Sequence, residues 1–279
     1  MRLDPFAALV LRGALERARP GLVHLTDPYT AHLAPRGVPV LMTVYDLLLL
    51  DAPGRLPALF TRGIRSLQAR QDVHWLAIST TVAREVQQRL GVVAASLTVA
   101  SPGPTAWPDS GATPYDGLLV VGALDAHKRP EHAVEAARAA GLPVLFAGRH
   151  EPHLVEVLGL APASLAADLD DAALAARIRG ARAVVHASSS EGFGLPVLEA
   201  LSLQTPVIAY DLPVTREIVG PDYPLVPEAE GPAGLARLAG ELADPAVRAA
   251  ALAAAAPTVA GHSWRRSRDV VRRLHDALG

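Results

Sequence analysis

The stretch SSSEGFGLPVLEAL, residues 188–201, places Glu191 and Glu199 eight positions apart, with a Gly-Phe-Gly turn between them. Pro196 reads as the first residue of a helix, where its missing N–H costs nothing. Gly192 and Gly194 permit positive φ and let a ligand come close to the backbone. The free N–H groups of Gly194 and Leu195 then point at an anion, which the helix field favours. Glu199, about one turn into the helix, has the reach to accept two hydrogen bonds from a vicinal diol such as a ribose. Glu191, on the loop, has the reach to accept from the hydroxyls of a second sugar. A phosphate flanked by two sugars is a nucleotide sugar. The plainer reading, a capped helix with two solvated glutamates, suits either acid alone better than it suits the whole string.

A second chemical candidate is Lys128. The chain has no asparagine and one lysine against twenty-five arginines. A GC-rich genome, or a host that avoids labile side chains, explains the bias. The exception then stands out, because a compact ammonium fits a tight phosphate site where a planar guanidinium does not.

Apolar β-rich runs alternate with helical periodicity, which predicts parallel sheets covered by helices. In the first part a helix is expected over 4–19, with strands at 21–26 and 38–44. A helix at 57–71 leads to a strand at 74–79. A helix capped within Ser79–Thr81 and ended by Gly91 precedes a strand at 96–100. Residues 101–117, rich in Pro, Gly, Ser and Asp, read as a linker. Beyond it, strands are expected at 118–122, 143–148, 183–188 and 206–210. Helices are expected at 130–141, near 151–159, at 170–180, from Pro196 to 203, near 231–243 and at 245–256. A closing amphipathic helix is capped by Ser263. The expected division is 1–105, 106–261 and a C-terminal helix over 262–279 that crosses back to the first domain.

Composition narrows the function classes. Half of the 279 residues are hydrophobic and the net charge is −2, with no basic run suited to nucleic acid. The absence of cysteine excludes disulfides and thiolate metal sites. The most tempting apolar run, VPVLMTVYDLLLL, is interrupted by Asp46 and is too short to span a bilayer. A soluble cytoplasmic protein is expected. No metal-ligand spacing stands out, and His24 and His32 read as unconnected histidines.

The string E-G-F-G-L-P-V-L-E resembles the Glu-x7-Glu signature of retaining family 4 glycosyltransferases of the GT-B fold. LLVVGALDAHKRPEHAVEAA, PVIAYDLPVTREIVG, TVYDLLLLDAP and the run from LAISTTVAREVQQRLGV to LTVASPG resemble further segments of that family, so the likeness covers most of the chain. The resemblance implies an α/β protein with two Rossmann-like, doubly wound domains facing a cleft. It implies that Lys128 contacts the donor diphosphate and that Glu191 holds the donor sugar, with the backbone of Gly192, Phe193, Gly194 and Leu195 nearby. Glu199 would hold the ribose, and Gly122 would permit close approach at a strand end. Lys128, Glu191 and Tyr45 are the expected catalytic residues. The expected reaction is retaining transfer of a hexose from a UDP- or GDP-linked sugar to the hydroxyl of a glycan, lipid-linked or small-molecule acceptor, with no metal and no cofactor.

The chain departs from the family at several points. Tyr45 stands where the family usually has histidine, and Ala123 where it often has arginine, leaving Lys128 and Arg129 to supply phosphate charge. Gln204 and Ala167 replace glycines. Only about four strands precede the linker, so the first domain is expected to be short. A homodimer or a partner chain completing that domain is a corollary, as is peripheral contact with the inner membrane face. The rival readings are a non-catalytic nucleotide-sugar-binding protein or partner subunit, and an epimerase of the same fold.

Overall fold

The computed structural model describes residues 13–15, 17–18, 20–26, 28–50, 55–124, 126–150 and 152–279. Most of the helix expected over 4–19 therefore lies outside the described residues, although 13–15 and 17–18 are helical. The chain forms two compact units. One lies within Met1–Pro102 and Ser263–Gly279, and the other is Gly103–His262.

The first unit is built on a four-stranded sheet in the order β1-β2-β3-β4, parallel throughout. Its strands are β1 (Val23–Leu25), β2 (Val40–Val44), β3 (Val73–Ala77) and β4 (Leu97–Val99). Helix α1 (Arg55–Gln68) joins β2 to β3, and α2 (Thr80–Leu90) joins β3 to β4. Ser79 caps α2 by accepting from the Val82 N–H, and Gly91 ends it in the left-handed region. Alternation along β2 divides the core into two faces. Val40, Met42 and Val44 pack with Ile64, Leu67, Val82, Val86 and Leu90. Leu41 turns the other way, beside Leu76 and Ala100.

The second unit follows the classic doubly wound pattern. Its strands are β5 (Tyr115–Val121), β6 (Val144–Ala147), β7 (Leu165–Ala166), β8 (Ala181–His186) and β9 (Val207–Ala209), in the order β7-β6-β5-β8-β9 and all parallel. The helices are α3 (Pro130–Ala140), α4 (Pro152–Val157), α5 (Asp171–Gly180), α6 (Leu195–Ser202), α7 (Pro213–Val219), α8 (Gly231–Glu241) and α9 (Pro245–Gly261). Buried on both faces, the central strands are near-continuous apolar runs: Leu118, Leu119, Ala183, Val184, Val207 and Ile208 are all fully buried. The strand order reverses direction between β5 and β8, and ligands of such sheets bind at the carboxyl ends beside that switch point.

Helix α10 (Trp264–Leu278), capped by Ser263, belongs to the first unit. Its Val270, Val271, Leu274 and Leu278 cover the Leu41, Leu76 and Ala100 face. His275 on this helix lies 3.0 Å from His24, whose other ring nitrogen meets Thr43 Oγ1 at 2.9 Å. His24 is thus tied to Thr43 and His275, not to His32.

Four elements differ from the sequence reading. Strand β5 starts at Tyr115, inside the stretch read as linker, because Tyr115 pairs with Ala181 across an irregularity before Leu118. Pairing with β8 overrides the local Pro and Gly content. The two-residue β7 and the helix α7 carry too little pattern to be read alone. Helix α6 begins at Leu195, so Pro196 is its second residue.

Candidate donor site

The candidate residues of the second unit gather at the carboxyl ends of the paired strands β5 and β8. Beyond β5 the chain passes Gly122 at φ 110° and makes a short helical turn over Ala126–Lys128. That turn folds Lys128 back over the strand end. A Cβ built on Gly122 would lie 2.7 Å from Lys128 Nζ. The glycine therefore makes room for the ammonium as well as for a positive φ. Lys128 makes no ion pair among the described residues. Its neighbour Arg129 is committed elsewhere: its guanidinium meets Glu228 at 2.7 Å and lies 5.9 Å from the centre of the Tyr210 ring. The sequence reading left Arg129 as a second phosphate charge; the structure turns it toward Glu228 instead.

The loop after β8 is fastened to the same turn. Ser189 donates to the His127 carbonyl from both its N–H, at 3.0 Å, and its hydroxyl, at 3.1 Å. Residue 189 thereby holds the loop carrying Glu191 beside the turn carrying Lys128. Glu191 is mostly buried; its Oε1 accepts from Ser188 Oγ at 2.8 Å and lies 3.4 Å from His186 Nε2. Gly194 caps α6 with φ 94° and offers no side-chain acceptor. The N–H groups of Gly194 and Leu195 accordingly make no hydrogen bond among the described residues. Phe193 is buried and packs edge-on against His262, with ring centres 5.3 Å apart, which anchors the turn from below.

Glu199 accepts from Thr105 Oγ1 at 2.6 Å. Burial raises its pKa above the usual carboxyl value, opposed by the Thr105 hydrogen bond and helped by Asp171. Neither glutamate of the signature is a freely solvated surface acid, so the plain capped-helix reading fails for both.

Tyr45, the remaining expected catalytic residue, belongs to the first unit. It follows directly on β2 and is 45% exposed. The sequence reading missed Thr105, Ser188, Ser189 and His186, the side chains that hold the signature acids and their loop. For His186 a signal existed: it is the polar residue closing the apolar strand AVVH. For Thr105 there was none, since it lies in an irregular stretch 94 positions from Glu199.

Comparison with known proteins fits this geometry. The profile of the family described as Glycosyl transferases group 1 matches residues 112–255, just over half of the chain and entirely within the second unit. A segment of 51 residues is 45% identical to the serotype-specific mannosyltransferase WbdA of Escherichia coli; it is 18% of this chain and only 6% of that protein. Sucrose-phosphate synthase from Thermosynechococcus elongatus superposes with a TM-score of 0.75 at 19% identity, over 98% of this chain and 77% of that one. The pneumococcal O-GlcNAc transferase GtfA, in complex with UDP and GlcNAc, superposes with a TM-score of 0.64 at 16% identity, over 96% of this chain and 59% of that one. At these identities the structural likeness shows the fold, which is α/β of the GT-B class with two Rossmann-like domains. With the profile covering β5 through most of α9, the chain belongs to the group 1 glycosyl transferases.

Proposed function

We propose that this protein transfers a hexose from a nucleotide sugar to an acceptor hydroxyl with retention of configuration, using no metal and no cofactor. The observation that carries the reading is the juxtaposition at the β5 and β8 ends. An ammonium with no ion pair among the described residues lies beside Gly122, tied through His127 and Ser189 to the loop of Glu191 and the N-terminus of α6. Lys128 and the free amides would meet the diphosphate, where positive charge offsets the charge growing on the leaving group. Glu199 would take the ribose hydroxyls and Glu191 those of the sugar. The bound UDP of the pneumococcal enzyme and the mannosyltransferase name of the E. coli protein favour a UDP- or GDP-linked donor. Its acceptor is a glycan, a lipid-linked sugar or a small molecule. Among the described residues no helix is long and apolar enough to cross a membrane. The proposed setting is the cytoplasm, where nucleotide sugars are made.

Calorimetric titration with UDP, GDP and ADP, and then with their hexose conjugates, tests the reading. One nucleotide is expected to bind selectively, and its hexose conjugate to be turned over. Unchanged binding and turnover in Lys128→Ala and Glu199→Ala would refute the assignment. Tyr45 favours one second reading, a donor-binding protein that does not transfer, because it stands where the family usually has histidine. Gain of turnover in Tyr45→His from an inactive parent would support that reading. Loss of turnover from an active parent would make Tyr45 part of the machinery.

A further inference from the structure

His186 closes β8 with its side chain almost fully enclosed, 6% exposed. Among the described residues its Nε2 has no hydrogen-bond partner, although Glu191 and Gly194 of the signature loop lie close to it. Glu191 Oε1 lies 3.4 Å away, within ion-pair reach but beyond a good hydrogen bond. On the other side, a Cβ built on Gly194 would come within 3.9 Å of the same nitrogen. A buried ring nitrogen left unpaired is costly, and here it faces the one carboxylate expected to handle the sugar.

We infer that His186 is a positioning residue for Glu191: its Nε2–H holds one carboxylate oxygen and aims the other at the donor sugar. This rests on the donor-site reading above. Burial holds the imidazole below its ordinary pKa, and the nearby Lys128 and His127 act in the same direction against Glu191. The neutral ring therefore serves as a hydrogen-bond donor. A shift of a few tenths of an ångström of the Glu191 carboxylate, when the sugar arrives, converts the 3.4 Å approach into a hydrogen bond. Ser188 already donates to the same oxygen at 2.8 Å. With Oε1 held twice, Oε2 is left for the sugar hydroxyls. His186 thus governs the sugar half of donor recognition and leaves the nucleotide half alone.

The test compares the affinity of the preferred nucleoside diphosphate, among UDP, GDP and ADP, with that of its glucose and mannose conjugates. The proteins are the parent, His186→Leu and His186→Gln, each also followed by thermal melting. His186→Leu is expected to keep the diphosphate affinity within about twofold. It should lose about tenfold or more of the difference between sugar nucleotide and diphosphate, the scale of one hydrogen bond to a charged group. His186→Gln, whose amide reaches toward the Nε2 position, is expected to recover most of it. If the leucine variant fails to fold, His186→Asn, whose amide is too short, replaces it against glutamine. An unchanged sugar increment in the leucine or asparagine variant overturns the inference while leaving the donor site standing. Equal loss of diphosphate and conjugate binding also overturns it, since His186 would then shape the whole site. A parent that binds none of the nucleotides removes the donor reading and this inference with it.

Discussion

Replacing Gly122 by alanine puts the donor-site geometry to a quantitative test. The new Cβ would lie 2.7 Å from Lys128 Nζ, whereas a comfortable non-bonded contact is about 3.5–4.0 Å. The ammonium must therefore withdraw by roughly 1 Å, which a lysine stem allows at little cost. The backbone cost is separate: alanine at φ 110° forfeits about 1–3 kcal/mol. If Lys128 meets the diphosphate, displacing it removes a charge-assisted hydrogen bond of about 1.5–3 kcal/mol, or roughly a ten- to 150-fold loss in affinity. Lys128→Ala should lose a similar amount of binding with almost no loss of stability. The informative protein is the double variant. Both changes act through one ammonium, so it should bind the nucleoside diphosphate no worse than Lys128→Ala alone, within about 0.5 kcal/mol. Calorimetry measures the binding and urea unfolding the stability. Binding losses that simply add, or a Gly122→Ala protein that binds like the parent, would refute the reasoning.

Two further outcomes follow from the same region. Burial gives folded Glu199 a pKa above its ordinary 4.5, so the folded state keeps a proton that the unfolded chain has released. The contribution of this group to stability therefore falls as pH rises from about 4.5 through the raised value. Glu199→Gln should abolish that fall while weakening donor binding, which urea midpoints across pH 4–8 would reveal; an unchanged pH slope would count against the buried-carboxylate account. Gln204, just beyond α6, sits at φ 60°, a left-handed conformation that glycine adopts without strain. Gln204→Gly is expected to raise stability by up to about 1 kcal/mol, and Gln204→Ala to leave it level or lower; equal midpoints for the two would show that the backbone angle carries no strain.

What the sequence disclosed and what it hid divide along the range of the interactions. The turn at Gly192–Gly194, the cap at Ser79 and the stop at Gly91 are written within a few residues, and φ, capping and helix fields act over that range. The alternation of apolar runs with helical pattern was likewise enough for the α/β class, because parallel strands buried on both faces leave few polar positions. The supports of the site are long-range. Thr105 holds Glu199 from 94 positions away, and Ser189 reaches the His127 carbonyl across 62. No periodicity records such pairs. Arg129 shows the converse case: with Ala123 in place of the family's arginine, the resemblance leaves it as a phosphate charge beside Lys128, but it has φ 46° and its guanidinium meets Glu228. Tyr115 was hidden for a third reason, since a strand residue among prolines and glycines is recognisable only once its partner Ala181 is known.

The placement of α10 has a consequence for how the protein is made. The first unit is not finished when its own strands have been synthesised, because the cover over Leu41, Leu76 and Ala100 comes from Val270, Val271, Leu274 and Leu278. All of Gly103–His262 must leave the ribosome in between. At about 5–20 residues per second, that interval is on the order of ten seconds or more. By its end the second unit has every strand it needs to fold, while one face of the first sheet still lacks the cover that α10 supplies. The first unit is thus closed by a segment made after all of the second, so its cover is the last part of either unit to be supplied.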